Sequence, residues 1–259
     1  MSSRAGTVAR LRSAGCVFAE DEARLLTDAA ADPAELEHMV SRREAGSPVE
    51  HIVGWAEFCG LRIVVGPGVF VPRRRTERLA HEAVVVARRL PHPAVVVDLC
   101  CGSGAVATAL GAMLDEVELH AVDVDPTAVA CARRNLAGVG GQVYAGDLYE
   151  PLPTALRGRV DLLVANAPYV PTDEIALMPP EARLHEPQVS LDGGVDGLDI
   201  VSRIIEGAPS WLAPGGALLV ESSEPQVPEL VWMLSQNGLA PQGTGSVVIG
   251  SVVIGRGSP

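Results

Sequence analysis

From residue 93 onward the chain alternates short apolar runs with helical stretches, and no other feature restricts its fold as tightly. AVVVDL (94–99), VELHAVDV (117–124), QVYAGD (142–147), DLLVAN (161–166) and ALLVES (217–222) read as strands. Between and after them, 104–114, 126–136, 199–212 and 226–237 carry helical patterns, with Pro214-Gly215-Gly216 as a turn before the fifth strand. Nearly continuous apolar runs mark strands buried on both faces of a parallel sheet. Regular alternation with helices predicts an α/β, doubly wound architecture.

The first 90 residues follow another pattern. Residues 4–45 place Leu11, Val17, Leu25, Leu26, Leu36, Met39 and Val40 among charges, as helices do, and Asp32-Pro33 suits a helix start. Residues 49–72 are β-rich and punctuated by Gly, which predicts a hairpin with Trp55 and Phe58 in its core; a helix opened by Thr76 follows, over 76–90. The expected layout is a helical cap over 1–46, a β-hairpin linker over 47–75 and an α/β domain over 76–259. The tail repeats SVVIG at 246–250 and 251–255. Five is odd, so the copies face opposite sides if one strand carries both.

Composition excludes several classes of function. The chain is 47% hydrophobic with no apolar stretch of membrane-spanning length and no signal-peptide core, so a cytoplasmic protein is expected. The five cysteines (16, 59, 100, 101 and 131) form no CxxC pair, and no His/Glu cluster has metal-ligand spacing, so neither a disulfide framework nor a metal is expected. The net charge is −12, and the acidic excess lies beyond residue 90. Such a surface disfavours nucleic acid, whose affinity rests on phosphate contacts. Arg73, Arg74, Arg75 and Arg78 are the single dense basic cluster, and every basic residue is Arg.

Ligands of open parallel sheets bind beyond the carboxyl ends of the strands. Four such ends carry signals here. The first strand ends at Asp98 and leads through Cys100, Cys101, Gly102, Ser103 and Gly104 into a helix. Glycines there let backbone approach a ligand, but the loop has no GKS or GKT, and Ala107 lies close to where a third nucleotide-loop glycine would be. Asp123 ends the second strand about 20 residues later, as suits an acceptor of ribose hydroxyls; Asp125 before Pro126 serves as the helix cap, leaving Asp123 free. Asp147 ends the third strand, either as an acceptor for an adenine amino group, with Leu148 against the ring, or as a turn residue. The fourth end is Asn166-Ala167-Pro168-Tyr169: an amide, a rigid turn and a ring.

The order DxCxGxG, Asp123, NAPY resembles a class I S-adenosylmethionine-dependent methyltransferase, with a Rossmann-like sheet. More narrowly it resembles the protein-(glutamine-N5) methyltransferases that modify peptide chain release factors. Residues 48–77 are similar to that family's linker and IPRPETE segment, and 185–221 to its EPxxAL-GG-DGL stretch. The resemblance implies that Asp98 and residues 100–104 line the cofactor's methionine and ribose side, that Asp123 holds the ribose, and that Asp147 and Leu148 meet the adenine. It implies that Asn166 lies between cofactor and substrate, with Ala167, Pro168 and Tyr169 completing the substrate loop and Glu186 at the substrate entrance. The implied catalytic residues are Asn166, Pro168 and Tyr169. The implied partner is a glutamine-bearing protein, a release factor being the first candidate. Four motifs depart from the pattern: Cys100 replaces a glycine, NPPY is NAPY, PRPETE is PRRRTE, and EIG is ESS. Two alternatives stay open: methylation of an exocyclic amine on a nucleic acid or small molecule, and a non-catalytic cofactor- or partner-binding protein.

Overall fold

The computed structural model describes residues 4–90, 93–244 and 246–252. Four helices open it: α1 (Arg4–Ser13), α2 (Ala19–Ala29), α3 (Pro33–Glu44) and α4 (Val49–Val53). The start of α3 follows from its sequence. Asp32 accepts hydrogen bonds from the Ala34 and Glu35 amides, and Pro33 sits where a missing N–H costs nothing. Leu11, Ala23, Leu26, Val40, Val49 and Ile52 close a core separate from that of the sheet. The hairpin expected over 49–72 is therefore shorter. Val49 and Ile52, three apart, share a helical face against α2, and only β1 (Trp55–Phe58) and β2 (Leu61–Val64) pair, antiparallel. A 3₁₀ turn over Arg74–Thr76 leads into α5 (Glu77–Ala87); Thr76 has helical dihedrals and does not cap it, contrary to expectation.

One seven-stranded sheet carries the rest. Its elements are β3 (Ala94–Leu99), α6 (Ala105–Met113), β4 (Val117–Asp123), α7 (Pro126–Leu136), β5 (Gln142–Ala145), β6 (Val160–Ala165), α8 (Pro180–His185), α9 (Asp199–Gly207), β7 (Leu212–Glu221), α10 (Val227–Gln236), β8 (Leu239–Thr244) and β9 (Val247–Val252). The strand order is β5-β4-β3-β6-β7-β9-β8. The first five strands in that order run parallel, and β9 pairs antiparallel with β7 and β8. The chain winds outward from β3 through β4 to β5, then returns to the other side of β3 with β6. That reversal places the crevice at the carboxyl ends of β3 and β6.

Side-chain alternation sorts the central strands between two cores. Val95, Val97, Leu99, Leu163, Ala165, Leu218 and Val220 face α9 and α10, whereas Val96, Leu162, Val164, Ala217 and Leu219 face α5 and α6. This two-sided burial is why the strands read as unbroken apolar runs.

Three expectations about the C-terminal half need correction. The helix from Asp199 ends at Gly207, followed by a 3₁₀ turn over Ala208–Ser210. Pro214-Gly215-Gly216 is no free turn but part of β7, where the pairing with β6 shifts between Val160–Leu212 and Leu162–Ala217. β8 was not anticipated: LAPQGT has a proline and a glycine and little alternation, and it survives as an edge strand. The duplicated tail forms one strand across the junction, since β9 runs from Val247 in the first copy to Val252 in the second. The remainder of the second copy lies outside the described residues.

Candidate active site

Most of the residues singled out above line one open cavity, with an empty volume of about 1290 Å3 including its mouth. Asp98, Cys100, Cys101, Gly102, Ser103, Asp123, Asp147, Leu148, Asn166, Ala167, Pro168 and Tyr169 all face it. Gly104 and Glu186 do not. Gly104 packs beneath the loop at φ 75°, where an added Cβ would lie 3.1 Å from the Ala132 Cβ and 2.5 Å from a Leu136 methyl of α7. Its role is to let α6 and α7 close together under the loop.

The loop after β3 is held by its neighbours. Asp123 Oδ2 accepts from the Gly102 amide at 2.8 Å and Oδ1 from the Asp125 amide at 2.9 Å. Asp123 is thus not free, as the sequence suggested. It anchors the loop with one lone pair on each oxygen and retains the other for a ligand. Burial pushes its carboxyl above the ordinary range, against the pull of these amides. Asn135 on α7 donates to the Ser103 carbonyl at 2.8 Å and exchanges two hydrogen bonds with Val64 of β2, stitching the loop to the hairpin. Asn135 carried no signal in the sequence; a polar residue in a helix becomes a tie only once β2 lies across it.

Cys100 adopts φ 55°. A side chain at this family glycine position is free of strain only where φ is negative, and that condition fails. The left-handed conformation costs a non-glycine residue about 1–2 kcal/mol, and the Cys100 side chain offsets part of it by packing against the core of the β7 face. Leu148, at φ 46°, is strained in the same way.

Asp98 lies 2% exposed with the Ala107 amide donating to it at 3.1 Å. Burial, reinforced by the charge of Asp123, raises its carboxyl to about 7. An unfolded chain ionises Asp near 4. Between these values the native state holds a proton that the unfolded chain does not, so this group's stabilisation is full at acid pH and is lost as pH rises through about 7. The slope from one proton is at most about 1.4 kcal/mol per pH unit. Asp98→Asn is expected to flatten it. Urea unfolding at pH 5, 6 and 7 measures the effect, and a slope retained by the variant would assign it to other groups.

On the far wall, β6 delivers Asn166 to the cavity. Its Oδ1 is buried without a hydrogen-bond partner. No hydrogen bond among the described residues uses the Ala167 carbonyl either. Unpaired buried acceptors are costly and uncommon in folded proteins, and two at adjacent residues mark a place shaped for a donor. The backbone of this loop is otherwise fixed. Val170 exchanges hydrogen bonds with Leu191 and Gly193, and Gln226 Nε2 donates to the Tyr169 carbonyl at 3.0 Å. A Cβ on Gly197 would fall 2.3 Å from that carbonyl, and one on Gly193 would fall 2.7 Å from the Pro168 carbonyl. Gly193 and Gly197 of DGGVDGLD are therefore required by backbone approach to the NAPY loop, whereas Gly194, at φ 90°, makes room for the Asp199 carboxylate. Ser223, one of the departures from EIG, forms a capping box with Gln226 and so orients the amide that holds Tyr169.

Glu186 differs from its expected position at the entrance. It is buried behind the wall, accepts from the Val71 amide at 3.1 Å and pairs with Arg73 at 2.6 Å, fastening the linker to the 180s segment. Asp147 lines the cavity but shares its carboxylate with Arg203 at 2.6 Å. Phe58, Phe70, Arg75, Thr76, Met178 and Ile200 are also part of the lining. They come from distant segments, and single-sequence reading had no reason to group them. Among the described residues no helix is long and apolar enough to cross a membrane, and no cluster of His, Cys, Asp or Glu could hold a metal ion.

Comparison with known proteins gives consistent relatives. Residues 60–180 match the methyltransferase small domain. A release factor glutamine methyltransferase of Geobacter sulfurreducens is 42% identical over 77% of this chain and 69% of its own length. The corresponding protein of Streptomyces coelicolor is 40% identical over 76% and 70%. A 4-amino-L-phenylalanine/4-methylamino-L-phenylalanine methyltransferase of Streptomyces pristinaespiralis is 36% identical over 75% and 68%. Among solved structures, the T. thermophilus 16S rRNA N2 G1207 methyltransferase in complex with AdoMet and guanosine aligns with a TM-score of 0.53 at 22% identity, over 76% of this chain and 49% of that one. That likeness concerns the fold.

Proposed function

The chain belongs to the release factor glutamine methyltransferase family, S-adenosylmethionine-dependent N-methyltransferases, and from this premise we propose that it methylates the side-chain amide nitrogen of a glutamine in a protein, a release factor foremost. The observation that carries the reading is the pair of unclaimed acceptors at Asn166 and Ala167. A primary amide has two N–H donors and a planar face. One donor meets Asn166 Oδ1, the other the Ala167 carbonyl, and the Tyr169 ring lies beside the plane. Ala167 in place of proline removes a ring but not this carbonyl, so the NAPY loop retains its function.

The residues present suit the cofactor. Asp123 keeps one acceptor site on each oxygen for ribose hydroxyls, the Gly102–Ser103 backbone leaves room for the methionine portion, and Leu148 offers an apolar wall to the adenine, with Asp147 beside it. When bound, S-adenosylmethionine supplies a methyl group already activated by its sulfonium charge. Activation of the acceptor is left to the protein. An amide nitrogen is a weak nucleophile because its lone pair is delocalised into the carbonyl. Two fixed acceptors orient that lone pair and stabilise positive charge as it develops on nitrogen. Pro168 stiffens the loop so that neither acceptor has to reorganise.

Incubation with radiolabelled S-adenosylmethionine and a release factor tests the reading. Label is expected on one glutamine, located by mass spectrometry. Transfer to free 4-amino-L-phenylalanine or to RNA instead would replace glutamine by an aromatic or exocyclic amine.

A further inference from the structure

The chain leaves the NAPY loop at residue 173 and returns beside it at residue 190. The two feet of this excursion are joined. The Thr172 amide donates to the Gly194 carbonyl at 2.9 Å, the Val170 amide to the Leu191 carbonyl at 3.1 Å, and the Thr172 hydroxyl to Asp192 Oδ1 at 2.7 Å. Between the feet only Ala182 and Glu186 are buried, while Leu177, Leu184 and Val189 stand exposed. Hydrophobic burial therefore does little to hold the segment down. Yet the segment builds part of the cavity wall, through Met178, Pro187, Val189 and Ser190.

Ion pairs at the two ends of α8 hold it instead. Glu186, just past the helix, is taken by Arg73 and by the Val71 amide. Glu181, in the first turn, pairs with Arg43 of α3, Nη2 to Oε2 at 3.0 Å. The other hydrogen bonds of residues 173–190, among the described residues, run within the segment or to its feet. Arg43 is a prepared socket. It is buried, Nε and Nη2 donate to Glu22 of α2 at 2.6 and 3.1 Å, and Nη1 donates to the Ser47 carbonyl at 3.2 Å. Its place is thus set inside the helical cap, and a guanidinium already fixed loses little freedom on taking a further partner.

We infer that Arg43 and Glu181 are positioning residues: their ion pair latches residues 173–190 to the helical cap and so holds the wall against which the acceptor rests. A segment with so few buried contacts opens at little cost, so the strength of the latch sets the fraction of molecules whose wall stands ready. Without the latch, acceptor binding has to order the wall, which weakens binding and leaves the chemical step alone. The inference concerns the site proposed above and takes from that reading only the identity of the acceptor.

Glu181→Gln tests it, because the substitution leaves the Arg43–Glu22 pair in place. Trypsin reports the opening after Arg183, an exposed site within the segment, and after Arg157, an exposed site outside it, with fragments identified by mass spectrometry. Where opening and closing outpace cleavage, the rate follows the open population. Cleavage after Arg183 is expected to rise about 2–5-fold, the weight of a partly exposed ion pair, and cleavage after Arg157 to stay constant. With a release factor as acceptor, KM is expected to rise by a similar factor, while kcat and S-adenosylhomocysteine affinity stay within about twofold of wild type. Glu174→Gln makes the same charge change in the same segment, at an exposed residue that no ion pair among the described residues uses, and is expected to match wild type. Unchanged cleavage after Arg183, an equal rise after Arg157, or a loss confined to kcat would each overturn the proposal. Faster cleavage with an unchanged KM would also overturn it, since the segment would then open without consequence for the acceptor. Failure of wild type to methylate a release factor removes the glutamine reading and leaves the cleavage result to decide the latch.

Discussion

Asn166→Ala is expected to lower single-turnover methyl transfer by about 10²–10³-fold, the loss that follows removal of one preorganised hydrogen-bonding group from a reacting centre. The same substitution is expected to leave the fold intact. Asn166 Oδ1 is buried and unpaired in the protein alone, so its removal relieves a desolvation penalty rather than breaking a bond. Melting temperature should hold steady or rise while activity collapses. Such opposed effects are expected where a site holds an unsatisfied group ready for substrate. Cofactor affinity, measured with S-adenosylhomocysteine, should change by no more than about threefold, because the lost acceptor serves the other reactant. Transfer within threefold of wild type would show that the Ala167 carbonyl and Tyr169 suffice. A falling melting temperature would mean that Asn166 supports the loop.

Asp123→Ala is expected to weaken S-adenosylhomocysteine by about 100-fold or more. Two hydrogen bonds to a carboxylate are each worth about 1.5–3 kcal/mol, and this carboxylate acts on both sides of the binding site. It accepts from the Gly102 and Asp125 amides, which hold the loop after β3 against the end of β4, and in the proposed reading its remaining lone pairs serve the ribose. The two contributions can be separated with a 2′-deoxy analogue. Wild type should lose affinity on removal of the 2′-hydroxyl, whereas Asp123→Ala should bind both forms alike. If the variant still discriminates between them, another residue reads the ribose and Asp123 serves the loop alone. Calorimetric titration measures both constants.

These two residues show how much was legible in the chain alone. Asp123 and Asn166 each end an apolar run, and a polar residue at the carboxyl end of a buried parallel strand stands where ligands bind. Strand identity, the α/β alternation, the Asp32 and Asp125 caps and the placing of four strand ends around one crevice all follow from patterns within a few residues. Hydrophobic periodicity and capping are local physics, so sequence conveys them well.

What only the tertiary structure decided depends on partners far apart in sequence. Glu186 looked like a surface residue at an entrance, and it is buried because Arg73 and the Val71 amide reach it. Residues 49–53 looked like a strand and became a helix because the core formed by α1–α3 had room for one more helical face. Cys100 tolerates positive φ because the loop is held by Asp123 and the core beneath accepts its side chain. Arg75 gained its place over Tyr169 only when the segment before α5 met the carboxyl ends of β6 and β7. Gly193 and Gly197 are dictated by the carbonyls of Pro168 and Tyr169 pressing against them. Sequence by itself determined most of the elements of the α/β domain and the polar groups at their ends, because those depend on neighbours along the chain. Tertiary structure decided which of those groups stay unpaired and face a ligand, because a hydrogen bond is satisfied or left open by whatever the rest of the fold brings within reach.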